Sequence, residues 1–209
     1  MIKNIIFDWS GVISDNLVTV YQTAMVMFEK FGAPKVSLEE FRKEWEQPYM
    51  IFYNKYLPKL SKAEEDETYK SIYPLMAEKY QPRSFSGICE ILKRFNIAGI
   101  KMAVISSDPA ETLSAEIKTY GLDGIFLEIN SEVHDKTEVL GECVKRNQFN
   151  LPETIFIGDT THEVEAGKIV GVKTGAVTWG FQNLDKLKFS APDFILNDLN
   201  ELSPLLHHG

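Results

Sequence analysis

Hydrophobic residues along this chain form two patterns that alternate with each other. Short apolar runs are typical of buried strands, and the segments between them carry apolar residues at helical spacing, as in Ile88-Ile91-Leu92-Phe95. Strands that alternate with helices predict right-handed βαβ units and a doubly wound, mostly parallel sheet, which is an α/β fold. The predicted strands are Ile5–Phe7, Met102–Ile105, Ile125–Ile129, Thr154–Ile157, Thr174–Val177 and Phe194–Leu196.

The interval from residue 16 to residue 84 interrupts this alternation. It has no convincing buried strand, but Ser37 with Glu40 and Ser61 with Glu64 both fit the capping box that begins a helix. A structureless loop of this length would be unusual inside a compact domain. We therefore expect a helical cap domain over residues 16–84, inserted into an α/β core domain formed by residues 1–15 and 85–209. The interval is rich in aromatic residues, namely Phe41, Trp45, Tyr49, Phe52, Tyr53, Tyr56, Tyr69, Tyr73 and Tyr80.

Four segments place polar residues near the carboxyl ends of the predicted strands. Asp8 ends the first strand, Ser106 the second and Asp159 the fourth, and Lys136 precedes a predicted helix. The carboxyl ends of parallel strands share one edge, where open α/β sheets bind ligands. An aspartate at that edge can act as a nucleophile or a metal ligand, and two such carboxylates are a common Mg²⁺ site. A lysine before a helix is, taken alone, more often a solvated charge.

Some of these residues also have a purely structural explanation. Ser107 or Asp108 followed by Pro109 is a typical helix N-cap. Thr160 and Glu163 fit a capping box, so the glutamate could serve only the helix. The residues alone leave both interpretations open.

Taken together, the four segments resemble the motifs of the haloacid dehalogenase-like (HAD) hydrolase superfamily, in particular its phosphoglycolate phosphatase and β-phosphoglucomutase branch. Phe7-Asp8-Trp9-Ser10-Gly11-Val12 is similar to the first motif, and Ile105-Ser106-Ser107-Asp108 to the second. Lys136 matches the third motif. Gly158-Asp159-Thr160-Thr161-His162-Glu163 resembles the fourth, with Glu163 where the family usually has Asp. The resemblance implies a Rossmann-like core with a helical cap.

The resemblance also implies a mechanism and a cofactor. Asp8 would attack phosphorus to give an aspartyl-phosphate that water then hydrolyses. The Asp8 and Asp159 carboxylates and the Ser10 backbone carbonyl would bind Mg²⁺, with Glu163 as a further metal-site residue. Lys136 would act in catalysis and would also bind the substrate.

The expected substrate is a small phosphorylated metabolite. Besides Lys136, its binding residues would be Trp9, Ser106 and Ser107, together with backbone N–H groups of the first loop. These expectations describe a Mg²⁺-dependent phosphatase.

Ser10 departs from the family pattern, which has Asp two residues after the nucleophile to protonate the leaving group. A serine hydroxyl does not titrate near neutral pH, and general acid–base catalysis contributes ~10²–10⁴ in rate. Activity could therefore be slow or restricted to leaving groups of low pKa, or His162 or a cap residue could supply the proton. A phosphonoacetaldehyde hydrolase-like enzyme is an alternative, with Lys43 or Lys55 as loose candidates for its Schiff base. A weakly active phosphoryl-ligand binding or regulatory protein is another.

Composition narrows the class of partner. The net charge of −8 argues against a nucleic-acid-binding surface, and no run is apolar enough to span a membrane. The two cysteines, Cys89 and Cys143, lie in neither redox nor metal spacing, which favours a reducing cytoplasm. We expect a cytoplasmic monomer or homodimer. His207, His208 and Gly209 receive no functional role.

Overall fold

A computed structural model describes residues 1–206, and the C-terminal His207, His208 and Gly209 lie outside the described residues. Six strands form one sheet in which every neighbouring pair is parallel, in the order β5-β4-β1-β6-β7-β8. The predicted α/β fold is therefore confirmed. The strands are β1 Asn4–Phe7, β4 Lys101–Ile105, β5 Glu128–Asn130, β6 Thr154–Gly158, β7 Lys173–Val177 and β8 Phe194–Leu196, and a separate antiparallel pair joins β2 Ser14–Asp15 to β3 Arg83–Ser84.

The sheet is covered on both faces. Side chains alternate along β1, so that Ile5 and Phe7 pack on one face with Leu92 while Ile6 packs on the other with Leu140. Because both faces are buried, the strand is continuously apolar. The helices that follow the cap interval are α5 Ile88–Ile97, α6 Ala110–Thr119, α7 Lys136–Arg146, α8 Thr161–Val170, α9 Leu184–Phe189 and α10 Leu202–Leu205.

The strand predicted over Ile125–Ile129 begins later in the structure. The Ile125 N–H donates to the Leu122 carbonyl oxygen in a turn, and the Ile125 side chain is buried. The apolar run therefore contains a core residue of the preceding turn as well as the strand β5, and periodicity alone does not separate the two.

The interval between β2 and β3 is helical. Its helices are α1 Leu17–Phe31, α2 Leu38–Glu44, α3 Met50–Tyr56 and α4 Lys62–Tyr80, and α1 packs along α4. Phe28, Phe41 and Phe52 lie at the centre of an aromatic cluster. Phe181, from the loop after β7, also packs into this cluster. The short β2–β3 pair lies next to the predicted domain boundaries. The division of the chain into a core domain and a cap domain stays a prediction.

Candidate active site

The register of the sheet brings Asp8 and Asp159 together. Phe7 of β1 lies opposite Ile157 of β6. Asp8 comes directly after Phe7, and Asp159 comes shortly after Ile157, behind Gly158. The Asp8 N–H donates to the Ile157 carbonyl oxygen at 2.9 Å, which fixes the backbone of Asp8 at the sheet edge. Both side chains are buried.

A buried lysine and a third carboxylate complete this cluster. Oxygens of Asp8, Asp159 and Glu163 lie within 4.8 Å of one another. The Lys136 Nζ lies 2.9 Å from Asp8 Oδ1 and 2.7 Å from Glu163 Oε1, and its side chain is buried. Three carboxylates face one ammonium group, so negative charge is left uncompensated in a site removed from water. Oxygen ligands with excess negative charge are the donor set that Mg²⁺ prefers, and the residues therefore fit this ion.

The protonation of the three acids reflects this imbalance. Burial raises the pKa of Asp8 to about 7, although the adjacent Lys136 opposes the shift. Burial, together with the negative charges of Asp8 and Glu163, raises the pKa of Asp159 well above its usual value. Burial acts on Glu163 in the same direction, but the charges of Lys136 and His162 together with hydrogen bonds from Lys136 and Thr160 outweigh it, and the pKa of Glu163 is lowered. In the metal-free site, Glu163 is thus the most readily ionised of the three.

Both oxygens of Glu163 already have hydrogen-bond partners. Oε1 accepts from Lys136, while Oε2 accepts from the Thr160 N–H at 3.0 Å and from the Thr160 hydroxyl. The capping box is thus present, and the same carboxylate also holds the lysine. The role of Glu163 at a metal site stays a prediction.

The loop after β7 closes over Asp159 and fixes its carboxylate. The Phe181 N–H donates to Asp159 Oδ2 at 2.6 Å. Gly180 leaves no room for a side chain, because a Cβ there would lie 2.3 Å from Oδ2 of Asp159. Arg42 of α2 donates to the carbonyl oxygen of Phe181 at 3.2 Å, so a cap residue helps to hold this loop.

Ser10 is engaged by a carboxylate that the sequence did not single out for function. Its hydroxyl donates to Asp108 Oδ2 at 2.6 Å and accepts from Asn16 Nδ2 at 2.6 Å. The Ser106 hydroxyl donates to the same Asp108 oxygen at 2.7 Å. The N-cap of α6 is Pro109, without a side-chain hydrogen bond, so Asp108 does not serve the capping role that its position suggested.

The expected substrate-binding residues differ in their accessibility. Ser107 lines the pocket that contains Asp8, whereas Ser106 is fully buried and does not line it. The Trp9 side chain lies in the core, where its indole N–H donates to Glu116 Oε2 at 2.6 Å and its ring stacks on Tyr120. This indole does not line the pocket. The Trp9 backbone N–H, which donates to Asp8 Oδ1 at 2.7 Å, is the part of the residue that faces the site.

The pocket lies between the edge of the sheet and the helical interval. Asp8, Ser10 and Asp159 line its floor. The lysines that line it are Lys62 and Lys70, whereas Lys43 and Lys55 do not. Residues from the helical interval form the opposite wall, namely Val20, Trp45, Gln47, Tyr49, Tyr53, Lys62, Glu65, Asp66, Tyr69 and Lys70.

His162, which the sequence suggested as an alternative proton donor to the leaving group, does not line this pocket. Its Nε2 accepts from the Lys136 N–H at 3.3 Å. Burial lowers the pKa of His162. The side chain therefore supports the backbone at the start of α7.

The sequence matches a model of a known protein family over most of its length. The model, described as haloacid dehalogenase-like hydrolase, matches residues 5–177. The chain belongs to this family. The predicted family is thus confirmed, and with it the expectation that the protein is a hydrolase.

Several relatives of this HAD hydrolase carry phosphatase names. A phosphoglycolate phosphatase of Synechococcus elongatus is 23% identical over 203 residues, covering 95% of this chain and 94% of that protein. Pyrophosphatase PpaX of Listeria monocytogenes is 23% identical over 207 residues, covering 96% of this chain and 94% of its own. A haloacid dehalogenase-like hydrolase from Streptococcus pneumoniae shares the fold, with a TM-score of 0.80, 21% identity and 98% of each chain covered.

None of the helices within residues 1–206 is long and apolar enough to cross a membrane.

Proposed function

We propose that this protein is a Mg²⁺-dependent phosphatase that hydrolyses a small phosphorylated metabolite through an aspartyl-phosphate on Asp8. The observation that carries the proposal is the contact of the buried Asp8 carboxylate with Lys136, inside a cluster of three acids at the sheet edge. The names of the relatives agree with this reaction class.

Asp8 would act as the nucleophile in the first half of the reaction. Its carboxylate oxygen forms a bond to phosphorus as the bond from phosphorus to the leaving oxygen breaks. Water then attacks the aspartyl-phosphate, which releases inorganic phosphate and restores Asp8. The contact with Lys136 at 2.9 Å favours the ionised, nucleophilic form of Asp8 against the effect of burial.

Asp8, Asp159 and the Ser10 backbone carbonyl would hold Mg²⁺, with Glu163 beside them. The ion, when bound, supplies positive charge that stabilises the phosphoryl oxygens in the transition state. The Lys136 ammonium supplies further positive charge at the same place, and Glu163 keeps that ammonium in position. Ser107 and the N–H groups of the first loop would bind the remaining phosphoryl oxygens.

Ser10 supports a second candidate function, that of a weakly active phosphoryl-binding protein. Its hydroxyl proton is directed at Asp108 and its oxygen accepts from Asn16, so it has no proton free for a leaving group. Such a protein would still bind a phosphoryl group at Asp8, but would hydrolyse even phosphates with good leaving groups too slowly to detect.

Turnover of acetyl phosphate and p-nitrophenyl phosphate tests the proposal, because neither leaving group requires strong acid catalysis. We expect hydrolysis that requires Mg²⁺, is abolished by chelator, and is lost in Asp8→Asn. Asp123→Asn changes an exposed aspartate and is the matched control. Hydrolysis without metal, or hydrolysis that survives Asp8→Asn, would refute the proposal. Phosphate binding without turnover of either compound would favour the second candidate.

A further inference from the structure

The wall of the pocket opposite Asp8 is aromatic. Trp45, Tyr49, Tyr53 and Tyr69 all line it, and the Tyr49 and Tyr53 ring centroids lie 6.3 Å apart. A leaving group attached to a phosphoryl group at Asp8 would occupy the space beside these rings. The faces of tryptophan and tyrosine rings attract cations.

A buried carboxyl group lies in the same wall without a cation of its own. The side chain of Glu65 is only 3% exposed and lines the pocket. The nearby Lys62 ammonium pairs instead with Asp66, at 2.6 Å, and the Tyr49 hydroxyl also donates to Asp66. Burial, followed by the charge of Asp66, raises the pKa of Glu65 to about 8. Glu65 is therefore mostly protonated at neutral pH, and a positively charged ligand would favour its ionised form by supplying the counter-charge.

The remaining charges around the pocket disfavour an anionic leaving group. Asp108 and Glu132 add two carboxylates to the lining. Lys62 is committed to Asp66, and Lys70, the other lysine of the wall, is solvent-exposed. A carboxylate or a second phosphate under the cap would therefore meet more negative than positive side chains.

We propose that the leaving group is cationic, and that the substrates are phosphate monoesters of amino alcohols, whose ammonium group would lie against Glu65 and the aromatic wall. This inference rests on the proposed function, because it assumes that the phosphoryl group lies at Asp8. It differs from the substrates named for the relatives, phosphoglycolate and pyrophosphate, whose leaving groups are anionic at neutral pH.

Calorimetric binding to the Mg²⁺-loaded Asp8→Asn variant tests this inference separately from catalysis. The probes are phosphocholine, its uncharged isostere 3,3-dimethylbutyl phosphate, 2-phosphoglycolate and pyrophosphate. We expect phosphocholine to bind about 10-fold more tightly than the isostere, the gain being that of a partly desolvated cation at aromatic rings. 2-Phosphoglycolate and pyrophosphate, whose leaving groups are anionic, should bind more weakly than the isostere. Tighter binding of the isostere, of phosphoglycolate or of pyrophosphate would overturn the inference.

Two variants assign the preference to individual residues. Glu65→Gln preserves the shape of the side chain and should reduce the ratio of phosphocholine to isostere affinity towards one. Lys70→Gln is the matched control in the same wall and should leave that ratio unchanged. If Lys70→Gln weakens binding of all probes while Glu65→Gln changes nothing, the leaving group is anionic and the inference fails. Failure of the proposed function would show differently, as the absence of Asp8-dependent turnover despite selective binding.

Discussion

The Ser10 hydroxyl donates a 2.6 Å hydrogen bond to the carboxylate of Asp108, a residue nearly a hundred positions away in the chain. The loop after β1 and the loop after β4 meet here because their strands are neighbours in the sheet. A carboxylate is therefore present close to the place where related phosphatases carry their second aspartate, but it is attached to a different loop.

Moving the carboxylate back to position 10 should increase turnover of alkyl phosphates. Ser10→Asp alone would place two carboxylates side by side, so we combine it with Asp108→Asn, which keeps the neighbour neutral. The double variant should hydrolyse alkyl esters up to about 10²-fold faster, the gain expected for a positioned general acid. Acetyl phosphate is the control, because acetate departs without protonation. Equal alkyl-ester rates in the double variant and the original protein would contradict this interpretation of Ser10.

Lys136→Met should strongly destabilise the fold. The substitution removes the ammonium that contacts two buried carboxylates, and breaking such a buried pair costs about 3–5 kcal/mol. The loss of stability should be smaller at pH 4 than at pH 8, because at pH 4 the carboxyl groups left without Lys136 can be neutral. Urea unfolding at both pH values measures it. Lys3→Met is the control, since Lys3 forms an exposed pair with Glu153 worth roughly 0–1 kcal/mol; equal losses in the two variants would refute the structural role of Lys136.

Tyr53→Phe should stabilise the unliganded protein. The Tyr53 hydroxyl is buried without a hydrogen-bond partner, and such a group costs about 1–3 kcal/mol. Tyr21→Phe, also in the helical interval, should have the opposite effect, because the Tyr21 hydroxyl donates to the Val36 carbonyl oxygen at 2.7 Å. Thermal unfolding of both variants distinguishes them. A lower melting temperature for Tyr53→Phe would mean that its hydroxyl is satisfied.

Glu65 should make the stability of the protein depend on pH. Its pKa is about 8 in the folded state and near the ordinary value of 4.5 in the unfolded chain. As the pH rises, the unfolded chain therefore loses the Glu65 proton before the folded protein does. The stabilising contribution of protonated Glu65 is fully present below pH 4.5 and is lost as the pH rises to 8. Glu65→Gln should remove this slope and raise the melting temperature at pH 8, by about 2–4 °C per kcal/mol. An unchanged slope in urea unfolding from pH 5 to 8 would count against a buried, neutral Glu65.

The sequence predicts the position of Asp8 and Asp159 well, because parallel strands must end at one edge whatever the details of packing. The same reasoning could have placed Trp9 correctly. Ile5, Phe7 and Trp9 occupy alternate positions and pack in the same cluster on one face of the sheet. Period-2 alternation continued by one step therefore directs the indole into the core.

The sequence does not reveal Asp108 and Glu65 in the same way. Asp108 follows a strand and precedes a proline, which suits a helix cap, and only the three-dimensional approach of the β1 loop turns its carboxylate towards Ser10. Glu65 lies in the first turn of α4, where an acid is expected to face solvent and complement the helix dipole. The packing of α4 against α1 and above the sheet edge buries it instead.

The most direct test of the account is chemical trapping of the phosphorylated aspartate. Borohydride added to the protein during turnover of acetyl phosphate with Mg²⁺ reduces an aspartyl-phosphate to homoserine, and peptide mass spectrometry locates the change. We predict conversion at Asp8, dependent on both Mg²⁺ and acetyl phosphate. Turnover without any modified aspartate, or modification at an aspartate other than Asp8, would contradict the assignment of Asp8 as the nucleophile.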